Sequence, residues 1–154
     1  MPTEPRGRGE GWVVAQMLLL LAILGAPPEL GGLERLPGWV RIPGLLLGLL
    51  GSAIGVLGIR ALGTNLTAFP RPKDDAELVE QGIYGMVRHP IYSGLVVAAT
   101  GYALLRTSIP SLILSLVLGV FFDQKARREE RWLEARYPGY GDYRRRVRGR
   151  IIPR

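Results

Sequence analysis

The sequence predicts an all-α fold: an integral membrane helical bundle of about four transmembrane helices, with a cytoplasmic extension of the last helix. Three observations carry this expectation. Hydrophobic residues make up 47% of the 154 residues, yet they gather in four blocks separated by polar connectors. The last two blocks are joined by only a few residues, as in a helical hairpin. Lys and Arg avoid the blocks and crowd their flanks and the C-terminus. A formal net charge of +7 also suits a nucleic-acid binder, but basic residues placed around apolar blocks fit membrane lipids and no nucleic-acid partner. With no cysteine and one histidine, disulfides, thiolate zinc sites, cysteine nucleophiles and multi-histidine metal sites are excluded.

Taken in order, residues 1–10 are polar and rich in Gly and Pro, which predicts a disordered tail, and residues 11–154 form a single membrane domain. Residues 12–26 are apolar apart from Gln16 and fall near the roughly 20 residues a bilayer requires. Arg6 and Arg8 give this block the flavour of a signal peptide, but Ala26-Pro27-Pro28-Glu29 is a poor cleavage site, so a retained helix is expected. Gln16 is expected to make an interhelical hydrogen bond. Residues 42–59 contain no charge and carry Gly44, Gly48, Gly51, Gly55 and Gly58 at alternating spacings of four and three. That spacing predicts a small-residue face for close helix packing; with no strand before it, a nucleotide loop is disfavoured.

Residues 60–88 form the longest polar stretch, with Thr64, Asn65, Thr67, the Pro70-Arg71-Pro72-Lys73 turn, Asp74, Asp75 and Glu77, and loops of this length are often functional. Residues 90–105 and 109–122 make the hairpin. No Gly or Pro falls between Val120 and Pro138, which predicts that the last helix runs on to about Arg136. The tail beyond Tyr140 holds Arg144, Arg145, Arg146, Arg148, Arg150 and Arg154, and is expected to lie on anionic headgroups. The distribution of Lys and Arg places both termini and the 60–88 loop in the cytoplasm.

Residues 82–94 read Gly-Ile-Tyr-Gly-Met-Val-Arg-His-Pro-Ile-Tyr-Ser-Gly. Pro90 suits the first turn of a helix, with His89 at its N-cap. The free N–H groups there, beside Arg88 and His89, favour a carboxylate or another anion. Tyr84, Arg88, His89 and Tyr92 share a membrane face with Lys125, Glu129 and Glu130, and Glu129 stands about 10 Å along the helix from Phe122. The hairpin therefore brings the two groups together around a pocket. Plainer roles stand beside this one: an interfacial anchor for Arg88, ordinary i, i+4 pairs for residues 125–131, and an aromatic belt for the tyrosines.

The Arg88-His89-Pro90-x-Tyr92-x-Gly94 element, the hairpin, Glu129-Glu130-Arg131-Trp132-Leu133, Tyr140, Tyr143 and Val147 together resemble the isoprenylcysteine carboxyl methyltransferase family and its phospholipid methyltransferase relatives, over residues 64–153. The resemblance implies a small membrane enzyme that binds S-adenosylmethionine on the cytoplasmic side and methylates a lipophilic acceptor. It implies a cofactor pocket of Ala76, Glu77, Leu78, Val79, Tyr84, His89, Pro90, Ile91, Tyr92 and Glu129, with Arg88 beside them. In this assignment Glu129 takes the ammonium, His89 and the helix start take the carboxylate, and the tyrosines take the adenosyl part or the cation. The family's substrate arginine is replaced by Lys125, which keeps the charge without the planar two-point grip. Tyr137-Pro138-Gly139-Tyr140 is one residue shorter than the family's Phe-Gly-x-x-Tyr spacing. No catalytic side chain and no metal is assigned. An isoprenylcysteine-like carboxylate, a phospholipid amine and a hydrophobic thiol all stand as acceptors. An NADPH-dependent membrane reductase, related to the sterol reductases that share Arg-His-x-x-Tyr-x-Gly, and a non-enzymatic membrane assembly protein are the alternatives.

Overall fold

The structure is a computed structural model that describes residues 9–29, 35–69 and 76–154; most of the expected N-terminal tail, the Pro70–Lys73 turn, Asp74 and Asp75 lie outside them. Among the described residues every regular element is helical. Gly9 adopts φ 94°, in the left-handed region open to glycine, and α1 (Glu10–Gly25) follows. The helix thus takes in Glu10, the last residue of the expected tail, because a carboxylate in the first turn complements the dipole. The Pro27-Pro28 pair lies just past its end. A 3-10 turn, Gly38–Val40, leads into α2 (Arg41–Leu62), which extends the expected 42–59 segment at both ends. The hairpin follows as α3 (Pro90–Leu105) and α4 (Ile109–Arg136), with α4 running into its charged half as expected, and a short α5 (Tyr140–Arg146) closes the chain. The hairpin turn is tight: Thr107 takes φ 54°, and the Ser108 hydroxyl accepts the Ser111 N–H at 3.2 Å, capping α4.

Two helices, α2 with its flanking turns and α4, are long and apolar enough to cross a membrane. Leu45, Leu46, Leu49 and Leu50 of α2 are each more than half exposed, an apolar surface that a water-facing protein rarely shows. Helices α1 and α3 are apolar but shorter, at sixteen residues each.

The tightest packing is α2 on α3. A Cβ built on Gly51 would fall 2.3 Å from the backbone N of Ala98, and one on Gly101 would fall 2.3 Å from that of Gly48. Backbone therefore meets backbone, and van der Waals contact replaces the hydrophobic drive that lipid abolishes. The glycine face is narrower than the sequence pattern suggests: Gly44, Gly51 and Gly58 direct the absent Cβ into α3, whereas Gly48 and Gly55 direct theirs into open space. Spacings of seven hold one seam, and the intervening glycines fall to its side, where Gly94 and Gly101 press on their backbones. Across the bundle α1 packs on α4, and α4 on α3, around Ile23, Ala99, Leu118 and Phe122. Polar ties fasten α1 at its C-terminal end, where Tyr102 Oη donates to Leu24 O at 2.9 Å and Ser111 Oγ to Ile23 O at 3.1 Å.

The C-terminal tail departs from expectation. Rather than lying wholly on headgroups, residues 147–151 fold back against the start of α3: the Arg88 N–H donates to Gly149 O at 3.0 Å and the His89 N–H to Arg150 O at 2.9 Å. Arg150 turns inward onto Asp123 and Glu130. Two carboxylates, Glu130 buried and Asp123 partly exposed, outcompete a screened lipid surface for this one arginine.

Candidate functional site

At the polar end of the bundle the start of α3, the charged half of α4, the end of α2 and the loop segment at 76–79 surround a cavity of about 310 Å³. Pro90 stands at the first helical position and His89 at the N-cap, as the sequence predicts, but the His89 side chain makes no capping bond. The anion site expected here is narrowed, because residues 149–150 already take the N–H groups of Arg88 and His89. Pro90 has no N–H, and the Ser93 N–H reaches His89 O at 3.1 Å. The donors left without an intrahelical acceptor are those of Ile91 and Tyr92, and both residues line the cavity.

Arg88 also lines the cavity, but its guanidinium is engaged elsewhere. It donates to Glu130 Oε1 at 2.8 Å, to Val147 O at 2.6 Å and to Arg148 O at 3.0 Å, with both side chains of the ion pair about 5% exposed. These bonds fasten the C-terminal segment beneath the site. Glu130, named in sequence only as half of a pair, is the hub, since Arg150 Nε lies 3.1 Å and His89 Nε2 3.3 Å from its oxygens.

Glu129 faces the other way. It accepts from Tyr92 Oη at 2.9 Å and lies 3.8 Å from His89 Nδ1. The Tyr92 ring is stacked between His89 and Phe122, with centroids 5.4 and 4.6 Å apart, so this carboxylate is held by an aromatic layer. Lys125, 1% exposed, donates to Gln16 Oε1 at 2.6 Å and Ala68 O at 3.1 Å, and its ammonium stands 5.2 Å from the Tyr92 ring centroid. All three partners are neutral. Gln16 thus makes the interhelical bond expected of it, and it also lines the cavity.

The loop segment is positioned by two side chains. The Asn65 amide pairs with Glu77 in both directions, Nδ2 to the carbonyl and the N–H to Oδ1, each at 3.2 Å. Tyr137 Oη donates to Ala76 O. Together they hold Ala76, Glu77, Leu78 and Val79 as one wall, with Tyr84 beside them. Tyr143 Oη donates to Tyr84 O at 2.8 Å, and Tyr140, Tyr143 and Val147 pack on Leu78 and Leu133. Burial pushes the Tyr84, Tyr140 and Tyr143 phenols above their usual range, with Glu129 adding to the effect at Tyr84, so all three stay neutral. The Tyr140 hydroxyl is buried with no hydrogen-bond partner among the described residues.

Every site residue expected from sequence therefore lies at this cavity except Pro90, which packs beside Gly58. The cavity is also lined by Gln16, Asn65, Tyr137, Tyr140 and Tyr143, none of them assigned to the pocket from sequence. Gln16 carried a signal as the one polar residue within its apolar block, and Tyr140 and Tyr143 as members of the pattern that carries the family resemblance.

The phospholipid methyltransferase family profile matches residues 39–139 of the chain. A protein-S-isoprenylcysteine O-methyltransferase from Schizosaccharomyces pombe is 40% identical over 86 residues, covering 54% of this chain and 36% of the relative. The nickel-cobalt-cadmium resistance protein NccN from Alcaligenes xylosoxydans xylosoxydans is 26% identical over 137 residues, covering 88% of this chain and 60% of the relative. The solved structure of the eukaryotic intramembrane Ras methyltransferase ICMT (isoprenylcysteine carboxyl methyltransferase) superposes with a TM-score of 0.69 at 23% identity, over 94% of this chain and 51% of that one, and shares the fold. The chain thus spans between 36% and 60% of the length of these relatives.

Proposed function

This chain belongs to the phospholipid methyltransferase family, and from that premise we propose that it transfers the methyl group of S-adenosylmethionine to a carboxylate on a lipophilic acceptor at the cytoplasmic membrane surface. The observation that carries the choice of acceptor is that buried Lys125 hydrogen-bonds only to neutral groups, with the Glu129 carboxylate the anion that acts on it through space. The cations Arg88, buried, and Arg150, partly buried, are matched by Glu130 and Asp123. With Glu129 assigned to the cofactor's ammonium and Glu77 exposed at the rim, Lys125 is a buried charge facing neutral partners. A charge so placed is costly without a counter-ion. A carboxylate acceptor supplies one throughout the neutral pH range, whereas an amine does not and a thiol does so only once ionised.

The residues suit the cofactor. Glu129 pairs with an ammonium, the Ile91 and Tyr92 N–H groups take a carboxylate at the positive end of α3, and Tyr84, Leu78 and Val79 offer faces for the adenosyl part. The volume falls within the range of small-molecule sites. When bound, the cofactor supplies an electrophilic methyl group on a sulfonium. The chain's own part is to align the acceptor with that group and to keep water out. A carboxylate reacts in its ionised form, so no side chain need act as a base.

In this reading α1 to α4 are four spans, residues 11–154 are one membrane domain with the cofactor-binding part at 64–153, and both termini and the 60–88 loop are cytoplasmic. Helix α1 packs on α4 and α2 on α3, with no packing of comparable extent between α1 and α2. Gln16 of α1 and Ile59 and Leu62 of α2 line the cavity, so the acceptor's apolar tail reaches it from lipid between these two helices. The test is transfer of radiolabelled methyl from S-adenosylmethionine to long-chain acceptors ending in a carboxylate, an amine or a thiol. Labelled ester alone is expected; label only on nitrogen or sulfur would overturn the choice.

A further inference from the structure

We propose that Gln16 and Lys125 together form a two-donor grip on the acceptor's carboxylate, a proposal that rests on the carboxylate reading above. Within the apolar body of α1 Gln16 is the one polar side chain, and a polar group there has to be satisfied or used. An ammonium carries donors only, so the carboxamide must turn its oxygen toward Lys125, as the 2.6 Å contact shows. The amide's NH₂ then points away from Lys125 with two N–H donors. Among the described residues no other hydrogen bond engages it, and both side chains line the cavity.

The pair therefore presents an ammonium N–H and an amide N–H from adjacent groups, one on α4 and one on α1. Two neighbouring donors match the two oxygens of a carboxylate, which a single lysine does not. The bond from Lys125 withdraws charge from the amide oxygen and makes the N–H groups stronger donors. Each carboxylate oxygen keeps a second lone pair while it is held. In the transfer an acceptor oxygen forms the new C–O bond to the methyl carbon as the C–S bond breaks. Its electron pair stays on sulfur, and no proton moves. The ester product has lost the charge that both donors recognise, so the grip loosens after turnover.

A bare structural tie between α1 and α4 is the competing role, and binding separates the two. The full chain in detergent, saturated with S-adenosylhomocysteine, is titrated with a long-chain S-alkyl mercaptoacetate and with its methyl ester. The parent is expected to bind the acid at least about tenfold more tightly than the ester. Gln16→Met should weaken the acid roughly tenfold while leaving the ester and S-adenosylhomocysteine within about twofold. Gln16→Glu, which keeps an acceptor for Lys125 but removes the donors, should abolish the preference for the acid. If both variants retain the parent's preference and only the melting midpoint falls, Gln16 is a helix tie and the proposal is wrong. If the parent itself binds S-adenosylhomocysteine but shows no preference for the acid, the carboxylate reading fails first and takes the grip with it.

Discussion

Arg88→Met tests what holds the floor of the site. The substitution keeps the bulk of the side chain and removes three charge-assisted bonds, to Glu130 and to the carbonyls of Val147 and Arg148. Removing one partner of a buried ion pair costs about 3–5 kcal/mol. Glu130 keeps Arg150 and His89 as partners, which places the expected loss near 3 kcal/mol. The segment at 147–151 would keep the two backbone bonds from the N–H groups of Arg88 and His89, the Arg150 contacts to Asp123 and Glu130, and the Ser93 hydroxyl on Ile151 O. Its docking should therefore weaken by about the energy lost, and it should open more often without the helices separating. Hydrogen exchange followed by mass spectrometry reads the opening directly, because these two amides are protected only while the segment is docked. A loss of about 3 kcal/mol corresponds to exchange roughly a hundredfold faster in a peptide covering residues 87–89. Peptides from the apolar part of α4 should not change. Exchange at 87–89 that stays within about threefold of the parent would show that the guanidinium is not the fastening.

Three further outcomes follow from the same geometry. Glu129→Gln keeps an acceptor for Tyr92 but removes the charge proposed for the cofactor's ammonium, so S-adenosylhomocysteine should bind at least about thirtyfold more weakly by calorimetry; an unchanged constant would remove Glu129 from the cofactor site. Gly51→Ala should lower the thermal midpoint in detergent, by the equivalent of 1–3 kcal/mol or more, since its Cβ meets backbone at 2.3 Å. Gly48→Ala, whose Cβ meets nothing within 4 Å, should be neutral or slightly stabilising, and equal midpoints would deny the seam. Tyr84, Tyr140 and Tyr143 ionise less readily folded than unfolded. The unfolded chain therefore loses these protons first as pH rises past about 10, and the stability they confer, complete below that value, should fall above it by about 1.4 kcal/mol per pH unit for each tyrosine. A midpoint flat from pH 9 to 11.5 would contradict their burial.

The helices were legible because each rests on a local signal. Pro90 and Pro138 bracket the hairpin and its extension, and an uninterrupted run without Gly or Pro carried α4 to Arg136. Tyr92 and Glu129 could be brought together from hairpin geometry alone, because both follow from the register of a short connector. What sequence did not reveal depends on contacts between distant segments. Nothing local to Arg150 distinguishes it from Arg148, yet one is drawn to Glu130 and the other is exposed. Nothing in the spacing of Asn65 says that its amide will mimic a strand partner for Glu77, twelve residues on. The five glycines share a stripe by count, but which of them face α3 depends on the crossing of the two helices. Arg88 shows the same limit: nothing in its position beside His89 reveals that its guanidinium reaches Glu130 and the returning C-terminus.

The central claim is that this cavity holds S-adenosylmethionine opposite a lipophilic carboxylate. Incubation of the full chain in lipid nanodiscs with methyl-labelled S-adenosylmethionine and a long-chain S-alkyl mercaptoacetate tests it most directly. The account predicts base-labile labelled methyl ester, formed by the parent and lost in both Glu129→Gln and Lys125→Met. It is contradicted if the parent binds S-adenosylhomocysteine yet yields no ester, or if the ester forms undiminished in Lys125→Met.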